Sequence, residues 1–118
     1  MRQLTVVVGC LLLVVTFLSA GCSTPRDDHI RSYNMQLASP RSTINVYSSS
    51  YVANKARCNP KDRMTRVWCD EAKADLARVQ LAQQQELAIY REMENDPVIN
   101  EQDRDVARRS VANLQGNQ

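Results

Sequence analysis

The chain has 118 residues, with 15 Lys and Arg against 13 Asp and Glu, so its formal net charge is only +2. Without a strong positive charge, the composition predicts no nucleic-acid partner. Large apolar residues are sparse after the first 20 positions, and a core built from so few of them is marginal for a small domain.

The first segment carries a positive charge at Arg2, then an uncharged apolar run from Leu4 to Leu18, then small residues. These are the three parts of a secretory signal peptide. The run is shorter than the roughly 20 residues that a membrane-spanning helix needs. We therefore predict that residues 1–21 are a signal peptide that is removed and not a membrane anchor.

Residues 18–22, Leu-Ser-Ala-Gly-Cys, resemble the lipobox of bacterial lipoproteins. The resemblance implies that the sulfur of Cys22 receives diacylglycerol and that the signal peptidase cuts just before this residue. A third acyl chain on the new amino terminus is typical of that family, and three chains hold a protein firmly to a membrane. Cys22 is the predicted lipidation site; the alternative is an ordinary signal peptide that leaves Cys22 as a free thiol.

Of the four cysteines, Cys10 belongs to the signal peptide and Cys22 is the predicted lipidation site, so only Cys58 and Cys69 remain as thiols. A pair of cysteines in an oxidising compartment predicts one disulfide. A metal site would need two further ligands, and the only histidine, His29, lies far away along the chain. We predict a bridge between Cys58 and Cys69, and no metal or other cofactor.

Residues 22–54 are rich in Ser, Thr, Asn and Arg and contain Pro25 and Pro40. This composition predicts a lipidated N-terminus followed by a flexible tether with little regular structure. Within the tether, residues 43–47 alternate polar and apolar side chains, which allows one short strand.

Residues 55–118 are predicted to form a small disulfide-stapled helical domain. Residues 70–94 contain no Gly or Pro and are mostly strong helix formers, so they predict a long helix. Residues 95–97, Asn-Asp-Pro, break the helix, and a shorter helix capped by Asn100 is expected to run to Leu114. The expected apolar faces are Leu76, Val79, Leu87 and Tyr90, and then Val106, Ala107, Val111 and Leu114.

The predicted fold class is therefore mainly α. A flexible N-terminal tether leads to a disulfide-closed loop, and the two helices form an α-hairpin.

The segment from Lys55 to Arg66 is basic, with five cations against Asp62 alone. One interpretation is a surface for an anionic partner, in which a neighbouring indole takes part. The other is that the cations are solvated and the indole packs against the disulfide. The candidate partner-binding residues are Lys61, Arg63, Arg66 and Trp68.

No catalytic group can be assembled from the sequence. There is one histidine, the serines cluster in the predicted tether, and no Gly-rich phosphate loop exists. We predict no enzyme activity, no catalytic residue and no small-molecule substrate.

After the lipobox come a polar spacer, Cys58-Asn59-Pro60, a short loop, and Cys69-Asp70-Glu71-Ala72 at the start of an Ala-rich helix. This order of motifs resembles that of the entry-exclusion lipoproteins of conjugative plasmids, of the EexN and TrbK type. Those proteins act in a recipient cell that already holds the plasmid and interfere with the incoming conjugation machine. The resemblance implies a periplasm-facing lipoprotein that acts by protein binding. The alternative is a structural or assembly lipoprotein of an envelope or type IV secretion complex.

The residue after the lipidation site bears on the membrane to which the protein goes. Ser23 stands where an Asp would resemble an inner-membrane retention signal. We therefore expect the outer membrane in preference to the inner membrane.

Overall fold

Three α-helices make up the described part of the chain. The structure is a computed structural model and describes residues 23–116. The helices are α1 (Pro25–Arg57), α2 (Arg66–Glu94) and α3 (Glu101–Gly116). The prediction of a mainly α fold is confirmed, while the predicted signal peptide and the lipidation site Cys22 lie outside the described residues.

Helix α1 occupies the segment predicted to be a flexible tether, so the prediction of a tether is wrong. Thr24 caps the helix: its hydroxyl accepts a hydrogen bond from the N–H of Asp27, and the Asp27 carboxylate accepts one from the N–H of Thr24. Pro25 suits the first helical position, because the N–H that it lacks would have no helical partner there. The short strand expected at residues 43–47 is helix instead, and the predicted domain boundary after residue 54 falls inside α1.

The sequence signal for α1 is the spacing of its inward-facing residues, which recur alternately every three and four positions. Such spacing is the repeat of coiled coils and keeps one face of a helix against one partner. Packing of this face outweighs the modest helix propensity of the Ser, Thr and Asn residues. It also accommodates Pro40, a buried residue that removes one helical hydrogen bond. The inward-facing residues are Ile30, Tyr33, Leu37, Pro40, Ile44, Tyr47, Tyr51 and Asn54.

Helix α2 confirms the predicted long helix but begins at Arg66, four residues earlier than expected. Its inward face also follows the spacing of three and four, and it packs antiparallel against α1. Of the expected apolar stripe, Val79 and Leu87 are buried. Leu76 is exposed, because it lies outside the face of α2 that packs against α1. The buried residues of α2 are Ala72, Asp75, Val79, Ala82, Glu86, Leu87 and Met93.

The predicted disulfide joins Cys58, the C-cap of α1, to Cys69 in the first turn of α2, with their Cα atoms 4.8 Å apart. The loop that it closes has its own hydrogen bonds. The Thr65 hydroxyl donates to the carbonyl of Asn59, and it accepts from the N–H of Asn59 at 3.1 Å. The Asp62 carboxylate accepts the N–H of Met64 at 2.9 Å. The loop therefore has a definite shape and holds the two long helices together at one end.

Helix α3 follows the predicted break, and the side-chain oxygen of Asn100 caps it by accepting the N–H of Asp103 at 2.8 Å. Ala107 and Val111 are buried as predicted, whereas Val106 faces solvent, because the contact with α2 runs along the other side of α3. An apolar cluster lies where α3 meets the start of α1 and the end of α2. Its members are Tyr33, Met93, Ile99 and Ala107, with Ile30, Ile89 and Tyr90 packed against them.

Leu37 tests whether α1 is a packed helix. Its side chain is 1% exposed, so replacing it by Ala leaves a cavity that should cost about 3 kcal/mol of unfolding free energy. Urea denaturation followed by circular dichroism measures the loss. The control is Met35→Ala, on the exposed side of the same helix, which should change the stability by less than about 0.5 kcal/mol. Equal stability of the two variants would mean that the segment is a tether after all.

Candidate functional site

The four candidate partner-binding residues lie together at one end of the α1–α2 hairpin, in the segment 55–70, which we call the tip. Lys61 and Arg63 stand on the loop, and Arg66 and Trp68 belong to the first turn of α2. The three cations are exposed. The disulfide thus holds these four residues, which lie within positions 61–68, at one end of the hairpin.

Trp68 is half-buried, and its indole face is covered by a cation. The guanidinium of Arg57, at the end of α1, lies 5.0 Å from the ring centroid. Such a cation–π contact is worth about 0.5–1 kcal/mol at an exposed site. Trp68 therefore helps to attach α2 to α1 beside the disulfide and is not an indole that projects freely into solvent.

Two exposed apolar side chains at the tip were not predicted from the sequence. Met64 is 85% exposed on the loop, and Val67 is 61% exposed in the first turn of α2. Both residues interrupt a run that is otherwise basic and polar, and this interruption could have indicated an apolar contribution to the surface. Their exposure adds two apolar side chains to a surface that was predicted to consist of three cations and Trp68.

The two ends of the hairpin carry opposite charge. The tip has five cations against two acids, a formal charge of +3. The opposite end, residues 24–31 and 91–109, has six arginines against eight acids, a formal charge of −2 with His29 neutral, and we call it the base. Helix α1 has 33 residues and so separates base from tip by about 50 Å at 1.5 Å per residue.

A buried carboxylate links the helices next to the tip. The side chain of Asp75 is 0% exposed and accepts hydrogen bonds from the Ser50 hydroxyl at 2.7 Å and from the Asn54 amide at 2.8 Å. Arg78 donates a third at 3.1 Å, and its guanidinium lies 4.8 Å from the centroid of the Tyr47 ring. The bond from Ser50, with those from Asn54 and Arg78, lowers the pKa of Asp75 although burial opposes this. Asp75 is therefore a satisfied buried anion that ties α2 to α1.

A second buried carboxylate links the helices at the base. Asp96 follows α2 and accepts hydrogen bonds from the Tyr33 hydroxyl and from Nδ1 of His29, both at 2.6 Å, and from the N–H of Val98 at 2.9 Å. Burial by itself would raise the pKa of Asp96, but the donors outweigh burial and lower it to about 2. Burial and the same carboxylate raise the pKa of Tyr33. His29, which the sequence placed in a polar tether, is thus part of a structural latch.

The His29–Asp96 pair has the geometry that hydrolases use to orient a general base. Among the described residues, however, His29 has no hydrogen bond to a Ser, Thr or Cys side chain that would act as the nucleophile. Its partner Asp96 is also shared with Tyr33. The His29–Asp96 pair therefore holds the segment after α2 against the first turns of α1.

Two further observations concern the described residues as a group. Over residues 23–116, no three His, Cys, Asp or Glu side chains are grouped so that they would hold a metal ion. None of the three helices combines the length and the apolar character needed to cross a bilayer.

Comparison of the chain with protein-family models, with curated proteins and with solved structures finds no match.

The pH dependence of stability tests the latch at the base. Because the pKa of Asp96 falls from 3.8 to about 2 on folding, its ionised form stabilises the fold above pH 4. That contribution is lost as the pH falls from about 4 to about 2. We expect the unfolding free energy to decrease over this range more steeply in the wild type than in Asp96→Asn.

Tyr33→Phe serves as the second variant in that experiment. It removes one donor and keeps the carboxylate, so the pKa of Asp96 should rise and the loss of stability should begin at a higher pH. Unfolding by urea at a series of pH values measures both effects. Superimposable profiles for the three proteins would show that Asp96 makes no linked contribution.

Proposed function

We propose that this chain is a periplasm-facing lipoprotein, held to a membrane by lipid on Cys22, that presents the tip to a protein partner. The observation that carries the proposal is the order of parts along α1. The lipobox cysteine stands three residues before Pro25, where α1 begins, and the tip lies at the far end of the same helix. A protein anchored at Cys22 would therefore hold its tip about 50 Å from the point of attachment.

The hairpin has the features expected of a spacer. Helix α2 runs back along α1, and polar links join the two helices near both ends and in the middle, where Arg41 lies 3.8 Å from Glu86. A pair of helices with several fixed links bends less readily than a disordered chain of the same length, whose ends sample many separations. A fixed separation between anchor and tip is useful only if the partner lies at a set distance from the membrane.

Plasmid exclusion is the specific role that we favour. In that role the tip would bind a component of an incoming conjugation machine and block a second transfer. The lipobox and the motifs around Cys58 and Cys69 support the proposal, since they resemble the exclusion lipoproteins. The proposed location is the outer membrane, because the residue after the lipidated cysteine is Ser23 and not an Asp.

A structural or assembly lipoprotein of an envelope or type IV secretion complex is the second candidate. The length of the hairpin favours it, because a stalk of about 50 Å suits a subunit that bridges a membrane and a complex standing off it. The two candidates differ in a simple assay. An exclusion factor expressed alone in a recipient should lower the frequency of conjugation compared with an empty vector, and an assembly subunit should not.

Cys22→Ser tests the anchor. Cells that express the wild type should incorporate radioactive palmitate into the protein, whereas the variant should take up no label and accumulate as the uncut precursor. In the recipient assay, the variant should restore conjugation to the empty-vector frequency, because the uncut precursor lacks the lipid that holds the tip at the outer membrane. Equal labelling of both proteins would reject lipidation at Cys22.

A shortened hairpin tests the spacer. Removing residues 44–50 together with 78–84 deletes one seven-residue repeat from each helix at matching heights and shortens the stalk by about 10 Å. The deletion keeps Asn54 beside Asp75, leaves Thr43 in the place of Ser50 and puts Gln85 in the place of Arg78. We expect an anchored, helical protein with an intact tip that has lost most of its effect on conjugation.

The control for the shortened hairpin changes the same segments without changing their length. Val46→Ala with Gln80→Ala alters exposed positions of α1 and α2 and should retain the wild-type effect. If the shortened protein, at equal abundance in the membrane, were fully active, the separation of anchor and tip would be irrelevant to function.

A further inference from the structure

The cations of the tip have no anionic partners within the described protein. The salt bridges of residues 23–116 involve Arg26, Arg104 and Arg108 near the base, among others, but none of the tip cations. Of the two acids at the tip, Asp62 turns its carboxylate to the N–H of Met64. The positive charge of this end is therefore available to a group from another molecule.

The two exposed apolar side chains stand among these cations. Met64 lies between Arg63 and the first turn of α2, and Val67 follows Arg66. Solitary exposed apolar residues need no explanation, but Met64 on the loop and Val67 in the first turn of α2 are both exposed between the bridged cysteines, among exposed cations. The surface thus has the composition of an interface whose partner offers both carboxylates and apolar side chains.

The loop is ordered before any partner arrives. The Cys58–Cys69 bridge and the hydrogen bonds of Thr65 with Asn59 fix its shape. A preorganised surface loses less conformational entropy on binding than a flexible one, so a small contact gains affinity. The disulfide would therefore contribute to binding as well as to folding.

We infer that the tip binds an acidic segment of a protein, whose carboxylates meet Lys61, Arg63 and Arg66 and whose apolar side chains cover Met64 and Val67. The inference rests on the proposed function, since it names the chemistry of the partner that the tip would meet. The charge polarity of the hairpin favours this occupant. An acidic segment is attracted to the tip and repelled by the acidic base, so it is steered to one end of the molecule.

An anionic lipid surface is the competing occupant, and the geometry disfavours it. A tip about 50 Å from the anchor reaches the anchoring membrane only if the hairpin lies flat. Residues that anchor proteins at a lipid surface typically project an aromatic ring into the headgroup layer. Here the aromatic ring of the tip, Trp68, is half-buried beneath Arg57.

Photo-crosslinking in native host cells tests the inference with the full-length protein. The probe is benzoylphenylalanine placed at Met64, and the control is the same probe at Ala112, an exposed position of α3. Mass spectrometry identifies what is attached. We expect the tip probe to capture a protein segment in which Asp and Glu outnumber Lys and Arg, and the α3 probe not to capture that segment.

Charge reversal supplies the second arm. Arg63→Glu with Arg66→Glu should lower the yield of the tip crosslink by about tenfold or more. The matched control, Arg91→Glu with Arg109→Glu, makes the same change in net charge away from the tip and should leave the yield unchanged. Circular dichroism checks that the variants stay helical, and Arg63→Gln with Arg66→Gln, the milder pair, should give an intermediate yield.

The inference is overturned if the tip probe captures only lipid, captures a segment without an excess of acids, captures nothing, or gives a yield that charge reversal does not change. The proposed function fails differently. If Cys22→Ser and the shortened hairpin both keep full biological effect while the tip crosslink behaves as expected, the binding chemistry stands and the anchored-spacer role falls. If both variants lose the effect but the crosslink is insensitive to charge, the role stands and the acidic partner falls.

Discussion

The antiparallel pairing of α1 and α2 is the constraint on which the remaining structure depends. The inward faces of both helices follow the repeat of coiled coils, yet they contain Pro40, Asn54, Asp75 and Glu86 beside the apolar residues. Apolar burial alone would therefore specify this pairing weakly. Sliding one helix along the other by a repeat would keep similar apolar contacts, so another interaction has to select the observed register.

Buried carboxylates supply that selection. Asp75, Glu86 and Asp96 occur at intervals of 11 and 10 positions on the α2 side, and each meets donors or a cation from α1. A shifted register would separate Asp75 from Ser50 and Asn54, and Asp96 from His29 and Tyr33, and a buried charge without a well-placed partner costs several kcal/mol. The balance between burial and a favourable partner differs among the three acids. At Glu86, burial raises the pKa, and the more distant Arg41 opposes the rise only in part. The acids at the two ends, which have closer donors, are the stronger determinants of register.

Much of this arrangement was accessible from the sequence, and the parts that were missed share a cause. The long helix α2 could be predicted because its residues have high helix propensity, the disulfide because the cysteines left one natural pair, and the cap of α3 because Asn100 precedes an apolar repeat. Helix α1 was not predicted, because Ser, Thr, Asn and Pro suggest an irregular chain. Its real signal, the spacing of Tyr33, Leu37, Pro40 and Ile44, emerges only when aromatic residues and Pro are counted as interface positions. The latch of His29 with Asp96 depends on that pairing, so it could not be found without α1.

The distribution of packing along the hairpin explains why the disulfide lies where it does. At the base, α3 adds a third helix, and the apolar cluster around Tyr33 and Ile99 holds the helices together. Towards the tip α3 is absent, and the interface narrows to small and polar side chains such as Ala72, Asp75 and Asn54. This end buries the least apolar surface and would separate most readily. The bridge between Cys58 and Cys69 closes the helix ends there, and it allows a short basic loop to keep its shape without a core of its own.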